Sequence, residues 1–470
     1  MKKLFFSAGA FFSACGAMLA ATISDVVLSE REDGVVVVSY SLDADAIVTA
    51  DFRVGGVSLD GTNQWSLAGD VHRLVTADGE TKHITWNPRS DMPGVALSGV
   101  TVELKAWAES DAPDYLVADL LTVSDCRFRY YPSVDFLPGG ILSNIVYRMY
   151  RLPFRRMHSK NVTWTMGTTD EKGRDTDGRE AAHEVTFDYD YYMGIFEFTH
   201  AQAQAVGSSA TGNHSDDYLW RFTPQNNSAW TSVRGTDPSG TPGSSTTMGK
   251  ASTRVGVVID LPTEAQWEFA ARGGHGEGTW GDGSTIRASN NNSSDANLTK
   301  LAVYKYNGNA MAETATCLPN SYGLYDMHGN VREFCRDWYQ KDITNLDGAL
   351  CVDATDGTLR ADGVKGTNIV IRGGYWAHGP SACRAAYRSS VDKASCKKDC
   401  GYRAMTLANL GADSAPTVAV SSNSIDIDPS RGTASGTTGA EVNLRTYNSL
   451  TTDAFDLDML KIFGSALSIR

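Results

Sequence analysis

Two stretches near the start of the chain alternate between apolar and polar side chains, and this pattern constrains the fold most strongly. From residue 48 to 54 and from 100 to 106, apolar residues occupy every second position. A period of two places successive side chains on opposite faces of a β-strand. Asp-Gly turn signals separate such runs. Residues 22–125 are therefore predicted to form a small β-sandwich of immunoglobulin or fibronectin type, with Thr49 and Asp51 facing water.

Composition divides the rest of the chain. Residues 126–150 read as a connector with short strands. Residues 151–410 are rich in Gly, Trp, Tyr and Asn, which is typical of short elements joined by irregular segments. The tail, 411–470, begins with Ser, Thr, Ala and Gly, a composition that suits a flexible linker. Within it, 453–467 regains apolar residues and could form a short helix.

Length and charge limit the classes of function. A chain of 470 residues indicates two or three domains. Its formal net charge of −13 argues against a nucleic-acid partner, because an acidic surface repels phosphates. The same acidity suits divalent cations such as calcium.

The N-terminal segment has the pattern of an export signal. Lys2 and Lys3 precede an apolar run, 4–21, that ends in small residues. Residues 1–21 are therefore predicted to be a signal peptide, and the mature protein to be secreted or periplasmic. A membrane anchor, or a lipoprotein attached through Cys15, is the alternative. No later stretch is long and apolar enough to cross a bilayer.

The cysteine count is compatible with disulfides but does not give their connectivity. Eight cysteines are present, and seven remain once Cys15 leaves with the signal. An oxidising compartment would pair some of them, and an odd number leaves at least one free or bound to another molecule.

Glycine pairs and a capping sequence mark two positions in the third region. Thr263 followed by Gln266 is a capping box that predicts a helix start, and Gly273-Gly274 predicts its end. Gly373-Gly374 follows an apolar run and indicates positive φ angles or a close backbone approach.

Five segments in this region occur in a characteristic order. They are Trp164-Thr165-Met166-Gly167-Thr168, the stretch 192–199, the stretch 261–274, the stretch 320–334, and Ile371-Arg372-Gly373-Gly374-Tyr375-Trp376 with Cys383-Arg384 and Gly401-Tyr402-Arg403. Together these segments resemble the formylglycine-generating enzyme (sulfatase-modifying factor) family. The resemblance implies an α+β, C-type-lectin-like fold behind the N-terminal sandwich.

Carboxylates within these segments predict calcium as a cofactor. Asp326 and Glu333 flank a glycine turn, and carboxylate and carbonyl oxygens are the ligands that calcium prefers. The resemblance implies a site formed by Asp326, Gly329, Val331 and Glu333, and a second site that starts at Asn297 and Leu298. A hydrogen-bonded turn without metal is the alternative at each.

The catalytic pattern of the family is incomplete. The resemblance implies two cysteines that bind copper(I), at the positions of His378 and Cys383 in this chain. Only the second is cysteine, and soft thiolates are the natural ligands of that ion, so the sequence argues against copper. Tyr375 and Arg332 also depart from the family's usual residues. Alternatively, Cys383 is a structural cysteine, buried or paired with Cys335; Cys396 and Cys400 could pair with each other or with Cys351.

These departures leave three functional hypotheses. The first is an exported binding or accessory module without oxidase activity, whose ligand is a protein or a glycan. The second is an active formylglycine-generating or related oxygen-dependent enzyme. The third is a structural surface protein. Trp230, Trp280 and Trp376 are candidate ligand-contacting aromatics.

Overall fold

The computed structural model describes residues 21–121, 128–208, 219–238, 240–276, 278–287, 292–343, 366–407 and 416–429. Residues 1–20 of the predicted signal peptide 1–21, Cys126, Cys351 and the segment 453–467 lie outside these residues. Within the described ranges, no helix is long and apolar enough to cross a membrane.

The first part of the chain forms two antiparallel sheets, as the alternation predicts. One sheet has the order β1-β2-β7-β5, and β8-β3-β4 form the other, with β6 beside β3. The short helix α1 (Pro88–Asp91) follows β7. The strands are β1 (Ile23–Glu30), β2 (Val36–Leu42), β3 (Ala46–Val54), β4 (Val57–Ser58), β5 (Ala68–Gly69), β6 (Arg73–Val75), β7 (Lys82–Trp86) and β8 (Leu97–Trp107).

The alternating residues form the core between these sheets. Val100, Val102 and Leu104 of β8 are completely buried, which confirms the predicted face. The prediction for β3 was wrong on its other face, because Thr49 and Asp51 are also buried. Thr49 accepts a hydrogen bond from Trp107 Nε1 (2.9 Å), and Asp51 accepts one from Ser58 (2.7 Å), so local partners satisfy both polar groups.

The second part of the chain contains three further sheets. Their orders are β10-β9-β11-β14-β19, β17-β16-β15-β18 and the pair β12-β13. The strands are β9 (Tyr115–Asp119), β10 (Phe128–Tyr131), β11 (Arg151–Met157), β12 (Thr163–Met166), β13 (His183–Thr186), β14 (Tyr191–Gly194), β15 (Arg332–Trp338), β16 (Asn368–Arg372), β17 (Ser389–Asp392), β18 (Cys400–Gly401) and β19 (Met405–Thr406).

The predicted boundary between these parts shifts towards the N-terminus. Strand β9 lies within the range assigned to the sandwich, yet it pairs with β10 and β11, and Leu116 belongs to the second core. Strand β10, within the predicted connector, joins the same sheet. The second domain therefore begins near Ala112, the first of its buried apolar residues.

Five short α-helices lie in the described part of the second domain. The predicted capping box begins α5, because Thr263 Oγ1 accepts from Gln266 N (3.2 Å) and Gln266 Oε1 accepts from Thr263 N (2.8 Å). Gly273 and Gly274 follow with positive φ of 62° and 84°, as predicted. The helices are α2 (His200–Ala205), α3 (Trp230–Val233), α4 (Thr247–Val255), α5 (Glu264–Ala271) and α6 (Leu298–Leu301).

After the second domain the chain returns to the sandwich. Strands β20 (Thr417–Val420) and β21 (Ile425–Ile427) both pair with β8, and Ile427 is buried in the sandwich core. Asn423 also hydrogen-bonds to the backbone N (2.9 Å) and O (2.8 Å) of Leu28 in β1. The prediction of a flexible linker from 411 was therefore wrong for these residues, and the second domain is an insertion within the sandwich.

His72 contributes to the contact between the two domains. Its backbone N donates to Val48 O within the sandwich (2.6 Å), and its O accepts from Tyr130 N in the second domain (2.8 Å). The ring is buried, with Nδ1 2.9 Å from Tyr130 O and its centroid 4.6 Å from the Tyr131 ring. Burial lowers the pKa of His72 to about 3, so the ring is neutral at pH 7.

Candidate functional site

The two glycines after β16 form the floor of the candidate site. Gly373 and Gly374 have φ of 91° and 74°, which confirms the predicted backbone conformation. A Cβ atom on Gly374 would lie 2.7 Å from Cys383 Sγ. Only glycine therefore lets the floor pack directly against the cysteine.

Cys383 lies in a closed apolar cluster. Its side chain is completely buried together with Trp280, Leu298 and Tyr304. Burial raises the pKa of the Cys383 thiol to about 12. His328 Nδ1 lies 2.8 Å from Cys383 O and fixes the backbone there. The thiol is thus held in its protonated form.

His378 contacts a group of aromatic rings and does not belong to the apolar cluster around Cys383. Its ring centroid lies 4.1 Å from that of Tyr375 and 6.3 Å from that of Tyr387. Burial, with the charge of nearby Arg332, lowers the pKa of His378 to about 4, so the imidazole is neutral at pH 7.

Arg332 completes a partly exposed aromatic surface. Its guanidinium carbon lies 5.2 Å above the Tyr375 ring, and it pairs with Asp399. Trp376 packs edge-on against Tyr375, with ring centroids 5.7 Å apart. The surface formed by Arg332, Tyr375, Trp376, His378 and Tyr387 is called the Tyr375 surface below. The other two candidate tryptophans, Trp230 and Trp280, are buried core residues, so that part of the hypothesis was wrong.

A buried ionic network supports this floor, and it was not recognised in the sequence. Arg372, the last residue of β16, lies 3.2 Å from Glu264 and pairs with Glu268; all three side chains are completely buried. Arg388 donates to Glu264 as well (2.7 Å). Both glutamates lie on α5, so the network fixes the helix against the strand that ends in Gly373.

A second buried ionic cluster contains the first predicted calcium site. Glu333 accepts bonds from Arg403 through both oxygens (2.6 and 2.8 Å). Trp267 Nε1 also donates to Glu333 Oε2 (2.7 Å). Glu197, which the sequence analysis missed, accepts from Asn330 Nδ2 (2.7 Å). Asp326 Oδ2 accepts from Ala315 N (2.6 Å), whereas Oδ1 has no hydrogen-bond partner.

These contacts determine the charge and the free oxygen atoms that the cluster could offer to a cation. Burial, and next the charges of Asp326 and Glu333, raise the pKa of Glu197 well above its usual range; burial raises that of Asp326 to about 6. Arg403 interacts with all three buried carboxylates, and Arg148 is a second cation near Asp326. The carboxylates still outnumber the guanidinium groups, which fits a cation. Asp326 Oδ1 is the open oxygen, whereas Glu333 is already bonded to Arg403. Among the described residues, no three His, Cys, Asp or Glu side chains converge on one point.

The second predicted calcium site lies at the start of α6. Asp295, completely buried, accepts bonds from the backbone N of Asn297 and Leu298, each at 3.0 Å. Asn297 Nδ2 donates to Thr285 O (3.0 Å). The sequence analysis did not single out Asp295, which organises this turn through its carboxylate.

The copper site implied by the resemblance does not fit the residues present. Cys383 is buried among apolar side chains, and the position of the first family cysteine holds His378, which contacts Tyr375 and Tyr387. Cys317, Cys335, Cys383, Cys396 and Cys400 are free thiols. The suggested pairings of Cys335 with Cys383 and of Cys396 with Cys400 are therefore wrong for this structure. The alternative pairing of Cys396 or Cys400 with Cys351 involves a residue outside the described ranges.

Comparison with known families agrees with this architecture. Residues 155–408 match the sulfatase-modifying factor enzyme 1-like domain. The chain belongs to this family. The predicted α+β fold behind an all-β N-terminal domain is thereby confirmed, and the matched range falls within the inserted second domain.

Relatives in the sulfatase-modifying factor family carry different names. The chain is 33% identical over 143 residues to serine/threonine-protein kinase pkn1 of Chlamydia pneumoniae, covering 30% of this chain and 20% of that protein. It is 33% identical over 173 residues to formylglycine-generating enzyme of Streptomyces coelicolor (33% and 49%). It is 34% identical over 102 residues to inactive C-alpha-formylglycine-generating enzyme 2 of mouse (21% and 33%). The chain thus spans at most about half the length of these relatives.

A solved structure also resembles this sulfatase-modifying factor protein. Treponema denticola variable protein 1 aligns with a TM-score of 0.42 and 22% identity, over 55% of this chain and 95% of that one.

Proposed function

We propose that this chain is an exported sulfatase-modifying-factor-domain protein that lacks formylglycine-generating activity and acts as a binding or accessory module. The observation that carries the proposal is the position of the two candidate catalytic residues. Cys383 is enclosed in an apolar cluster, while His378 belongs to the partly exposed Tyr375 surface. The position of the first family cysteine is thus taken by an imidazole that packs on Tyr375, with Arg332 on the same ring.

The chemistry of Cys383 supports the loss of oxidase activity. The thiolate is the form that binds soft metals and is oxidised. With a pKa of about 12, the thiolate fraction of Cys383 at pH 7 is on the order of 10⁻⁵. His378 is a harder ligand than thiolate and already packs on Tyr375.

An oxidation assay tests this proposal. The purified, copper-loaded protein is incubated in air with a Cys-x-Pro-x-Arg peptide, with the Streptomyces coelicolor relative as the positive control. We expect no conversion. Conversion of thiol carbon to aldehyde lowers the peptide mass by about 18 Da. Such a product, lost in Cys383→Ser, would establish the second hypothesis, which the name of that relative favours.

Export is proposed from the N-terminal pattern of basic residues, apolar run and small residues. The mature chain is expected to begin near Ala21 or Thr22. N-terminal sequencing of protein from fractionated cells tests this, and a soluble cytoplasmic form that retains Met1 would contradict it.

Calcium is proposed at the buried carboxylate cluster, held by Asp326 with backbone oxygens of Gly329 and Val331. The unpartnered Asp326 Oδ1 and the surplus of carboxylates over Arg403 support this. The proposed second ion lies beside Asn297 and Leu298. Calcium binding should raise the melting temperature by mass action. Calorimetric titration of chelator-treated protein should show binding that Asp326→Asn removes, and equal binding by that variant would contradict the first site.

A further inference from the structure

We propose that the ligand of the Tyr375 surface is an acidic protein segment that presents carboxylates beside an apolar or aromatic side chain. This rests on the proposed binding function and gives the ligand a chemical class. Three features carry it: the partly exposed aromatic floor, the unpartnered hydrogen-bonding atoms beside it, and the basic residues around it.

The Tyr375 surface has the residue composition of the part of a protein interface that contributes most of the binding energy. Tyr375, Trp376 and Tyr387 are each partly exposed, and Arg332 covers part of the Tyr375 ring. Trp, Tyr and Arg are the residues in which binding energy concentrates at protein interfaces. They offer large rigid contact areas at a small cost in conformational entropy. The buried ion pairs of Arg372 with Glu264 and Glu268 hold in place the end of β16, which leads into this surface.

Two polar atoms beside Tyr375 lack hydrogen-bond partners. These are Arg332 Nε and His378 Nδ1, both covered from solvent. Arg332 Nη2 donates a hydrogen bond to Asp399, so Nε remains available as a donor. The neutral His378 ring can donate from Nδ1 when its proton is placed there. An unsatisfied buried donor is energetically unfavourable, and a carboxylate that reaches it after a small side-chain shift would satisfy it.

Three exposed lysines are connected to this surface through the backbone. Lys397 and Lys398 immediately precede Asp399, the partner of Arg332, and both are exposed. Their backbone is held by Asn227 N, which donates to Lys397 O (3.0 Å). The exposed Lys305 donates its backbone N to His378 O (3.0 Å), and its Nζ lies 5.4 Å from the centre of the Tyr306 ring.

This local charge is opposite to that of the whole chain. The formal net charge of the protein is −13, whereas three lysines and Arg332 lie at or beside this surface. Its acidic neighbours include Asp399, which pairs with Arg332, and, near Tyr387, Asp175 and Glu180, which pair with Arg179 and Arg384. Charge complementarity at this surface therefore favours an acidic segment as the partner. A neutral glycan would make no use of the lysines. A sulfated polysaccharide would make little use of the aromatic floor.

The experiment measures binding of three fluorescent probes to the full mature chain. The probes are a random Glu–Tyr copolymer, dextran sulfate and a neutral β-glucan oligosaccharide. The variants are Trp376→Ala and the double change Lys397→Gln with Lys398→Gln. Leu318→Ala, an exposed apolar residue outside the surface, and Lys105→Gln, on the sandwich, are the matched controls. Circular dichroism checks that each variant is folded.

We expect the copolymer to bind, and its affinity to fall as the salt concentration is raised. Trp376→Ala should weaken it about tenfold or more, and the double lysine variant about three- to tenfold. The control variants should bind like the parent.

Three outcomes would overturn the proposal. The first is that none of the probes binds. The second is that dextran sulfate binds as well as the copolymer and neither responds to Trp376→Ala, which indicates general polyanion binding. The third is that only the glucan binds, which makes the ligand a glycan. None of these yields formylglycine, so failure here is distinct from failure of the proposed loss of oxidase activity.

Discussion

The sandwich and the inserted domain use different interactions in their interiors. The sandwich core consists of apolar side chains from alternating positions, closed by Ile427 from the end of the described chain. The inserted domain adds completely or almost completely buried arginines to its apolar core. They are Arg234, Arg372, Arg384, Arg388 and Arg403, and each faces a buried carboxylate.

This difference shows how a fold with little regular secondary structure is made specific. Apolar contacts are tolerant of exchange, as long as volume and pattern are kept. A buried guanidinium costs several kcal/mol to desolvate and recovers this only when its carboxylate is in place. Replacement of a single buried charged residue should therefore destabilise the inserted domain far more than replacement of a charged residue destabilises the sandwich. The following predictions test this difference.

The largest effect is expected for Arg403→Met. Without the guanidinium, Glu333 keeps the bond from Trp267 but lies buried near Glu197 and Asp326 with no cationic partner. Removing one partner of a buried pair costs about 3–5 kcal/mol. Urea unfolding followed by tryptophan fluorescence measures the loss.

The matched control for Arg403 is Arg53→Met on the sandwich. Arg53 pairs with Asp51 and Glu103, but its side chain is 32% exposed, so solvent screens these pairs. We expect a loss below about 1 kcal/mol. Equal losses in both variants would contradict the contrast between the two interiors.

An intermediate effect is expected for Ile427→Ala. This residue is 2% exposed in the sandwich core, and truncation of a buried isoleucine costs about 2–5 kcal/mol. Hydrogen exchange should accelerate in β1 and β8 and remain unchanged in β15 and β16. Val418→Ala, at a residue 55% exposed on the neighbouring strand, should have almost no effect. Unchanged exchange in Ile427→Ala would show that β21 is not part of the sandwich domain.

Near neutral pH, between pH 7 and 6, the smallest effect concerns His72 between the two domains. Its pKa is about 3 in the folded protein against 6.5 for the free side chain, so below pH 6.5 the unfolded state takes up a proton that the folded state does not. This contribution to stability is complete above pH 6.5 and is lost as the pH falls towards 3. Its slope is at most about 1.4 kcal/mol per pH unit.

The variant His72→Asn isolates this contribution. Asparagine tolerates the φ of +57° found at this position but does not titrate. Between pH 7 and 5 its unfolding free energy should depend less on pH than that of the parent. Parallel dependences in the two proteins would show that His72 titrates as an exposed histidine does.

Local pattern predicted the regular elements well. The alternation in β8 and the capping box of α5 hold because they depend on neighbours within a few residues. The same is true of the positive φ at Gly373 and Gly374, which only the residue type permits cheaply. The order of five motifs also predicted the family and the α+β fold.

Contacts between distant residues decided the rest. The pairing of β20 and β21 with β8 was hidden because these two short apolar strands lie within a segment whose overall Ser, Thr, Ala and Gly content is that of a linker. The bonds from Arg403 to Glu333 were hidden for a related reason. A motif marks residues as related, but only the fold shows which carboxylate a guanidinium reaches.

The sequence by itself determined the strand pattern of the sandwich, the family, and the replacement of the first family cysteine by His378. These features depend on residue identity and near neighbours. Tertiary structure alone decided that Cys383 is closed off, that His378 joins Tyr375, and that the tail completes the first domain. Burial and pairing set those outcomes, and both are properties of residues brought together from far along the chain.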